Sequence, residues 1–113
     1  MFPPGEAEHI TLHVGWFEHT LPGFLAEHPG PAALIHLDCD LYSSAHYVLT
    51  ELERAGRLVA GTVVVFDELL NYCGFERHEF RALFEHVERF ARPYEWLGVQ
   101  HKGCMKAALV FTA

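Results

Sequence analysis

The sequence predicts an α/β fold in which helices cover a largely parallel sheet. Two runs, Ala32–Leu37 and Thr62–Phe66, are almost entirely apolar, which is the pattern of parallel strands buried on both faces. Segments with apolar residues at helical spacing lie after these runs, most clearly Phe80–Phe90. Strands that alternate with helices are typical of a three-layer domain, in which a sheet lies between two layers of helices.

The first half of the chain is expected to contain two strands and two helices. Ile10–Val14 alternates apolar and polar side chains, which favours a strand. Thr20 is the predicted N-cap of a helix that runs to about Glu27. After the first apolar run, either Ser43 or Ser44 is expected to cap the second helix.

The second half is expected to add a strand, a helix and a hairpin. The second apolar run forms the strand, a loop follows at Asn71–Phe75, and the amphipathic helix Phe80–Phe90 comes next. Two β runs, Glu95–Gln100 and Met105–Phe111, flank a turn at His101–Cys104, which predicts a closing antiparallel hairpin. The complete order is β-α-β-α-β-α-β-β, a parallel core with an antiparallel end.

Composition limits the classes of function. The 113 residues suffice for one domain, and half of them are hydrophobic, so a packed core is expected. The net charge of -7 and the pI of about 5.6 argue against nucleic-acid binding, which needs a basic face. The sequence shows no signal-peptide pattern, no run of about 18 apolar residues and no CxxC pair. We therefore expect a cytoplasmic protein without a membrane partner, with residues 1–8 as a loose lead-in.

Acidic side chains follow both apolar runs. Asp38 and Asp40 come directly after the first run, and Asp67 and Glu68 come directly after the second. Ligands of open α/β sheets bind outside the carboxyl ends of the strands, so these four carboxylates are expected to meet at one edge. Such a group holds a hard divalent cation or transfers protons.

Several phrases of the sequence resemble one family. They are Val14–Phe17 with Thr20–Pro22, HLDCDLYSS at 36–44, GTVVVFDE at 61–68 and HEFRA at 78–82. From about residue 9 onward the chain resembles the class I S-adenosylmethionine-dependent methyltransferases, specifically the macrocin O-methyltransferase-like group. The resemblance implies the C-terminal half of a three-layer Rossmann-like fold. It also implies S-adenosylmethionine as methyl donor and Mg²⁺-assisted transfer of a methyl group to a hydroxyl of a sugar or other small metabolite.

The resemblance also implies ligands and catalytic residues. Asp38, Asp67 and Glu68 are the implied ligands of Mg²⁺, by a more distant likeness to catechol O-methyltransferase, in which side chains at two strand ends hold the ion. A bound Mg²⁺ lowers the pKa of a coordinated hydroxyl and orients it for attack. Asp38 and Asp40 are the implied catalytic residues, with Asp40 or a nearby histidine taking the proton.

A further set of residues is implied for the cofactor. Trp16, Phe17 and Glu18 occupy the positions that flank the adenine in this fold, and Cys39 lies near the methyl sulfonium end. Ordinary structural roles stay open, because Trp16 and Phe17 also suit a hydrophobic core and Cys39 also suits a small buried site.

Structural alternatives also stay open for the acidic side chains. Asp38 and Asp40 suit helix capping or a loop, and Asp67 and Glu68 suit a solvated strand end. Glu79, at the start of the last helix, either interacts with the helix dipole or lines the substrate side of the site.

The glycine-rich, cofactor-binding half of such a domain has no counterpart in these 113 residues. Without it, the strand Leu34–Leu37 becomes an exposed apolar edge, which is prone to pairing. We therefore expect a single partial domain over 1–113 that forms a homo-oligomer, rearranges its sheet or binds a complementing N-terminal half. The alternative functions are a non-catalytic, truncated methyltransferase-like module, acting through oligomerisation or a partner, and a metal-dependent hydrolase.

Overall fold

The computed structural model describes residues 9–70, 72–100, 103 and 105–113. The lead-in expected at 1–8 and most of the turn expected at 101–104 lie outside these residues. No helix in the described part of the chain is long and apolar enough to cross a membrane. The elements follow in the order α1 (Phe17–Glu27), β1 (Leu34–Leu37), α2 (Tyr42–Arg54), β2 (Val63–Leu70), a short 3₁₀ helix (Phe75–Arg77), α3 (Glu79–Arg89), β3 (Tyr94–Val99) and β4 (Met105–Phe111).

The described strands form one mixed sheet in the order β1-β2-β4-β3. β1 and β2 run parallel, with Leu34 opposite Val63 and Leu37 opposite Phe66. β4 pairs antiparallel with both β2 and β3. The parallel core and the antiparallel hairpin that the sequence predicts are therefore confirmed, and β4 joins them by lying between β2 and β3.

The hydrophobic core lies on one face of this sheet. The strands contribute every second residue to it, because successive side chains of a strand point to opposite faces. α2 and α3 contact each other, α3 contacts β2, and α1 contacts α2, so the helices gather on this face. The largest fully buried apolar side chains are Phe66, Phe111, Leu49, Leu69, Leu83, Leu109 and Val64.

The opposite face of the sheet is only partly covered. Val65 and its partner Ala108 are half-buried there, whereas the adjacent pair Val64 and Leu109 is fully buried on the helical side. The crossover from β1 through α2 to parallel β2 places α2 on one face, and α3 packs against α2 on that same face. The described residues thus form two layers, and the second helical layer of the expected three-layer fold is not among them.

The predicted first strand is wrong. Residues 10–14 form no strand, and Leu12 and Val14 are 80% and 83% exposed. Alternation is a local property, whereas a strand also needs a neighbouring strand to bond with, and no described strand pairs with this segment. β1 therefore lies at the edge of the sheet. The expectation that its run is buried on both faces is also wrong, because Leu34 is 64% exposed.

The helix starts differ from the predicted caps. α1 begins at Phe17 with Trp16 at its N-cap, and the Thr20 hydroxyl donates to the Trp16 carbonyl at 3.2 Å instead of capping the helix. α2 begins at Tyr42 with Leu41 at its N-cap, so neither predicted serine holds that position. Neither N-cap side chain makes a capping bond, so side-chain capping does not set where these two helices begin.

Arg57, in the loop after α2, fixes the end of α1. Its guanidinium donates to the carbonyls of Leu25 and His28, at 2.8 Å and 3.1 Å. The last carbonyls of a helix have no partners inside the helix, so this side chain satisfies groups that would otherwise be unpaired. The contact holds α1 beside α2 and the open edge of β1.

We expect Thr62 to stabilise the start of β2 through two hydrogen bonds. Its side chain is 1% exposed, donates to the Ala32 carbonyl at 2.7 Å and accepts from the Val59 N–H at 3.1 Å. Thr62→Val keeps the shape but leaves both groups unpaired, so the free energy of unfolding should fall by about 1–3 kcal/mol. Urea denaturation measures this, with exposed Thr112→Val as the control. Equal midpoints for both variants would contradict the role.

Candidate active site

The end of the β1–β2 ladder brings the acidic clusters close together. Leu37 opposite Phe66 is the last pair of the β1–β2 ladder, so Asp38 and Asp67 are the next residues of the two strands. The sequence pattern predicts that this strand ends at Phe66, but β2 continues to Leu70. Its register with β4 shifts between Phe66 and Leu70, and this irregular stretch holds Asp67 and Glu68.

A tight turn follows β1. The Leu41 N–H donates to the Cys39 carbonyl at 2.7 Å, which closes a three-residue γ-turn. Asp40, the central residue, has a φ of 63°, in the left-handed region that a non-glycine residue occupies only under strain. Asp38 and Asp40 are both exposed, and this turn places them just before the start of α2.

Glu79, the first residue of α3, is fully buried beside this turn. Its relative exposure is 0%, and its Oε2 accepts a hydrogen bond from the Cys39 N–H at 3.3 Å. Burial raises the pKa of Glu79 to about 7; the bond from Cys39 opposes this rise, and the charges of Asp40, Asp38 and Asp67 add to it. Four carboxyl groups therefore share this edge of the sheet, one buried and three nearer to solvent.

Cys39 lies in the middle of this group and is half-buried. Burial, followed by the charge of Glu79, raises the pKa of its thiol to about 11. The thiol therefore stays protonated at neutral pH and behaves as a small, weakly polar wall rather than as a nucleophile.

A cleft of about 290 Å³ joins this turn to the start of α1. Trp16 and Phe17 are 73% and 40% exposed, so the interpretation of these two side chains as buried core is wrong. All four residues expected to bind the cofactor line this cleft together with Asp38. The complete lining is Gly15, Trp16, Phe17, Glu18, Asp38, Cys39, Leu41 and Ser44.

A second, more apolar cleft of about 400 Å³ lies along β1. Its walls come from α1, β1 and α2, and it shares Phe17, Asp38 and Cys39 with the first cleft. The two clefts therefore meet at the carboxyl end of β1, where the acidic residues lie.

Asp67 bonds to partners that the sequence interpretation did not include. Its Oδ1 lies 3.3 Å from Lys106 Nζ and 3.7 Å from His36 Nε2. His36 and Lys106 belong to the strands on either side of β2, so Asp67 lies between them on the partly covered face. His36 lies within the first apolar run, yet it is not part of the core, because its side chain is 56% exposed.

The expected Mg²⁺ ligands are not assembled in the described part of the chain. No group of three His, Cys, Asp or Glu side chains among the described residues is arranged to hold a metal ion. The Asp67 carboxylate contacts Lys106 and His36. Glu68 lies in the irregular stretch of β2, beyond the end of β1. Carboxylate oxygens suit Mg²⁺, but this arrangement does not bring Asp38, Asp67 and Glu68 together as ligands.

A comparison with protein families identifies the chain. The family model described as macrocin-O-methyltransferase (TylF) matches residues 6–101, which include both acidic clusters, the cleft and Glu79. The chain belongs to the macrocin-O-methyltransferase family. Membership of a methyltransferase family implies S-adenosylmethionine as the methyl donor and supports O-methyltransferase chemistry. No curated protein and no solved structure matches the chain significantly.

Lys106 is a residue of the candidate site that the sequence interpretation did not include, whereas Glu79 was left open between the helix dipole and the substrate side of the site. A signal for Glu79 exists in the helical pattern, since it lies three, four and seven residues before Ala82, Leu83 and His86, all of them buried. An acid within the apolar stripe of a helix is unusual enough to mark a site. Lys106 has no comparable signal, because its place beside Asp67 depends on how β4 pairs with β2.

We expect Glu79 to make stability depend on pH. Its pKa in the folded protein, about 7, lies above the ordinary value of 4.5, so the protonated carboxyl stabilises the fold. This stabilisation is complete below about pH 4.5 and is lost as the pH rises through about 7. Glu79→Gln mimics the protonated group. Between about pH 5 and about pH 8, its advantage over the parent in free energy of unfolding should therefore grow from roughly 1 to roughly 3 kcal/mol.

Denaturant unfolding across that pH range measures this gain. Burial lowers the pKa of His86. Because both proteins contain this histidine, its contribution to the pH dependence cancels in the difference. Glu88→Gln, at an exposed position of the same helix, is the control and should follow the parent. Parallel stability curves for the parent and Glu79→Gln would contradict a raised pKa for Glu79.

Proposed function

We propose that this chain is the catalytic half of an S-adenosylmethionine-dependent O-methyltransferase that acts on a hydroxyl of a sugar or other small metabolite. The supporting observation is the cleft that places the aromatic side chains of Trp16 and Phe17 with Asp38 and Cys39. An aromatic surface next to carboxylates suits a cofactor with an adenine ring and a cationic sulfonium.

The cofactor side of the cleft provides three kinds of contact. Exposed Trp16 and Phe17 offer surfaces on which an adenine stacks, and Glu18 offers a carboxylate that accepts hydrogen bonds. Cys39 offers a neutral thiol close to the acidic turn, and this is the place proposed for the methyl sulfonium end.

The acceptor side is proposed to lie at the turn after β1. In methyl transfer, the acceptor oxygen attacks the methyl carbon in line, the carbon–sulfur bond breaks toward sulfur, and the hydroxyl proton passes to a base. Asp38 and Asp40 are exposed carboxylates on either side of Cys39, so one orients the hydroxyl while the other accepts its proton. S-adenosylhomocysteine, the methyl ether and a protonated carboxyl are the products.

Mg²⁺ assistance stays a prediction of the family resemblance. In the described structure Asp67 is paired with Lys106 and His36, so we route no step through a metal ion. Measurable Mg²⁺ affinity that Asp38→Asn removes would support the resemblance on this point.

We further propose that the chain associates with another chain through the open edge of β1. Leu34 is 64% exposed on this edge, and the outer face of the sheet is only partly covered. Unpaired backbone groups along an apolar edge favour pairing with a second strand. A second copy of this chain, or a complementing N-terminal half, would supply that strand.

Calorimetric titration of S-adenosylhomocysteine into the purified chain tests the proposed function. We expect binding, and we expect Trp16→Ala to weaken it about tenfold, because an exposed aromatic platform for the adenine is lost. Trp96→Ala, which removes a 41% exposed tryptophan on β3, is the matched control and should leave the affinity unchanged.

Repeating the titration with Mg²⁺ and with Asp38→Asn separates the alternatives. Absence of S-adenosylhomocysteine binding to the folded parent, with and without Mg²⁺, would contradict the proposal. That result would favour a non-catalytic methyltransferase-like module, for which the pairing of Asp67 with Lys106 is the supporting contact.

Sedimentation equilibrium tests the proposed association. We expect a mass above the 12.8 kDa of one chain for the parent and a shift to monomer for Leu34→Lys, because a charge on an edge strand blocks pairing. Leu97→Lys on β3, the opposite edge of the described sheet, is the control and should leave the mass unchanged. A single monomeric species for the parent would count against self-association.

A further inference from the structure

One buried group has no part in the proposed chemistry. Glu79 is 0% exposed, and one of its carboxyl oxygens, Oε1, is buried without a hydrogen-bond partner in the described structure. A buried carboxyl with an unpaired oxygen destabilises a fold compared with an apolar side chain of similar size. Packing alone therefore does not account for a glutamate at this position.

The bond that Glu79 does make reaches across 40 residues of sequence. Oε2 accepts from the backbone N–H of Cys39, which joins the start of α3 to the turn after β1. An acid that serves only the dipole of its own helix lies at an exposed first turn, and no bond to another element is needed for that effect. Here the carboxyl is buried and bonded to a different element.

The turn that receives this bond is strained. Asp40 has a φ of 63°, and the γ-turn has a single internal hydrogen bond, from the Leu41 N–H to the Cys39 carbonyl. Strained backbone persists only when surrounding contacts hold it. Because Asp38 and Asp40 flank Cys39, the orientation of the Cys39 peptide sets the positions of both carboxylates.

We propose that Glu79 is a positioning residue, whose carboxyl holds the Cys39 peptide and thereby fixes Asp38 and Asp40 at the mouth of the cleft. The Tyr42 hydroxyl donates a hydrogen bond to Glu85, which joins the start of α2 to α3. Both ends of the turn after β1 are therefore bonded to the same helix. The raised pKa of Glu79 reflects this enclosed position among other carboxyls. We call this bond between the Glu79 carboxyl and the Cys39 N–H the clamp. The clamp is inferred from geometry alone, and only its catalytic consequence rests on the proposed function.

Amide hydrogen exchange at Cys39, followed by NMR, tests the clamp without cofactor or substrate. In the parent protein we expect the Cys39 amide to be protected, because its N–H is bonded to a buried carboxyl. Exchange at the rate of an unstructured peptide would overturn the proposal, whatever the behaviour of any variant.

Two substitutions then separate positioning from packing. Glu79→Met keeps the volume but removes the acceptor, so we expect the Cys39 amide to exchange about tenfold faster while the midpoint of thermal unfolding stays equal or rises. Glu79→Gln keeps an acceptor oxygen, so we expect protection within about threefold of the parent. Glu76→Met, at an exposed position in the preceding 3₁₀ helix, is the control and should change neither quantity.

The possible results of these measurements assign different roles to Glu79. Unchanged protection of Cys39 in folded Glu79→Met would overturn the clamp, and a large loss of thermal stability with no rescue by Glu79→Gln would assign Glu79 to packing. Where the parent transfers methyl groups, Glu79→Met should lower kcat, and Glu79→Gln should restore most of it. Failure of the parent to bind S-adenosylhomocysteine would refute the proposed function, yet the exchange at Cys39 would still decide the clamp.

Discussion

The parallel pairing of β1 with β2 is the constraint on which the site depends. The ladder stops where Leu37 faces Phe66, so the chain leaves β1 at the level at which β2 enters its irregular stretch. Residues that are 29 positions apart in sequence, Asp38 and Asp67, therefore arrive as neighbours in space. From there the chain has only four residues before α2 begins at Tyr42, and within this short connection Asp40 adopts a left-handed backbone angle.

Strong, regular patterns in the sequence were sufficient to predict most of the elements. The helices, the parallel pair and the antiparallel hairpin follow from apolar periodicity, because burial of an apolar face is what stabilises them. The segment 10–14 shows where such reasoning fails. Its alternation is as clear as that of a strand, but a strand needs a neighbour, and whether one exists is a property of the whole sheet. Helix starts were also misplaced, because Trp16 and Leu41 hold the N-cap positions without a side-chain capping bond and therefore carry no cap signal in the sequence.

The candidate site was predictable in part, for similar physical reasons. The rule that ligands bind at the carboxyl ends of parallel strands places Asp38 and Asp67 at one edge, and the structure agrees. The partners of Asp67 were not predictable, because they depend on which strands border β2. Lys106 reaches Asp67 only because β4 lies beside β2. The sequence placed Glu79 at the start of α3 and left its role open, whereas its burial and its bond to Cys39 depend on how α3 packs against the turn after β1.

The position of β4 has a consequence for how this sheet opens. β3 precedes β4 in the chain, yet in the described sheet it touches only β4, which separates it from β2. β3 therefore depends on β4 for its strand pairing, and a local opening that frees β4 also removes the strand partner of β3. Hydrogen exchange should find them in a single cooperative unit. The contact between Lys106 and Asp67 belongs to that unit, so opening of the hairpin would also remove the cation that neutralises Asp67.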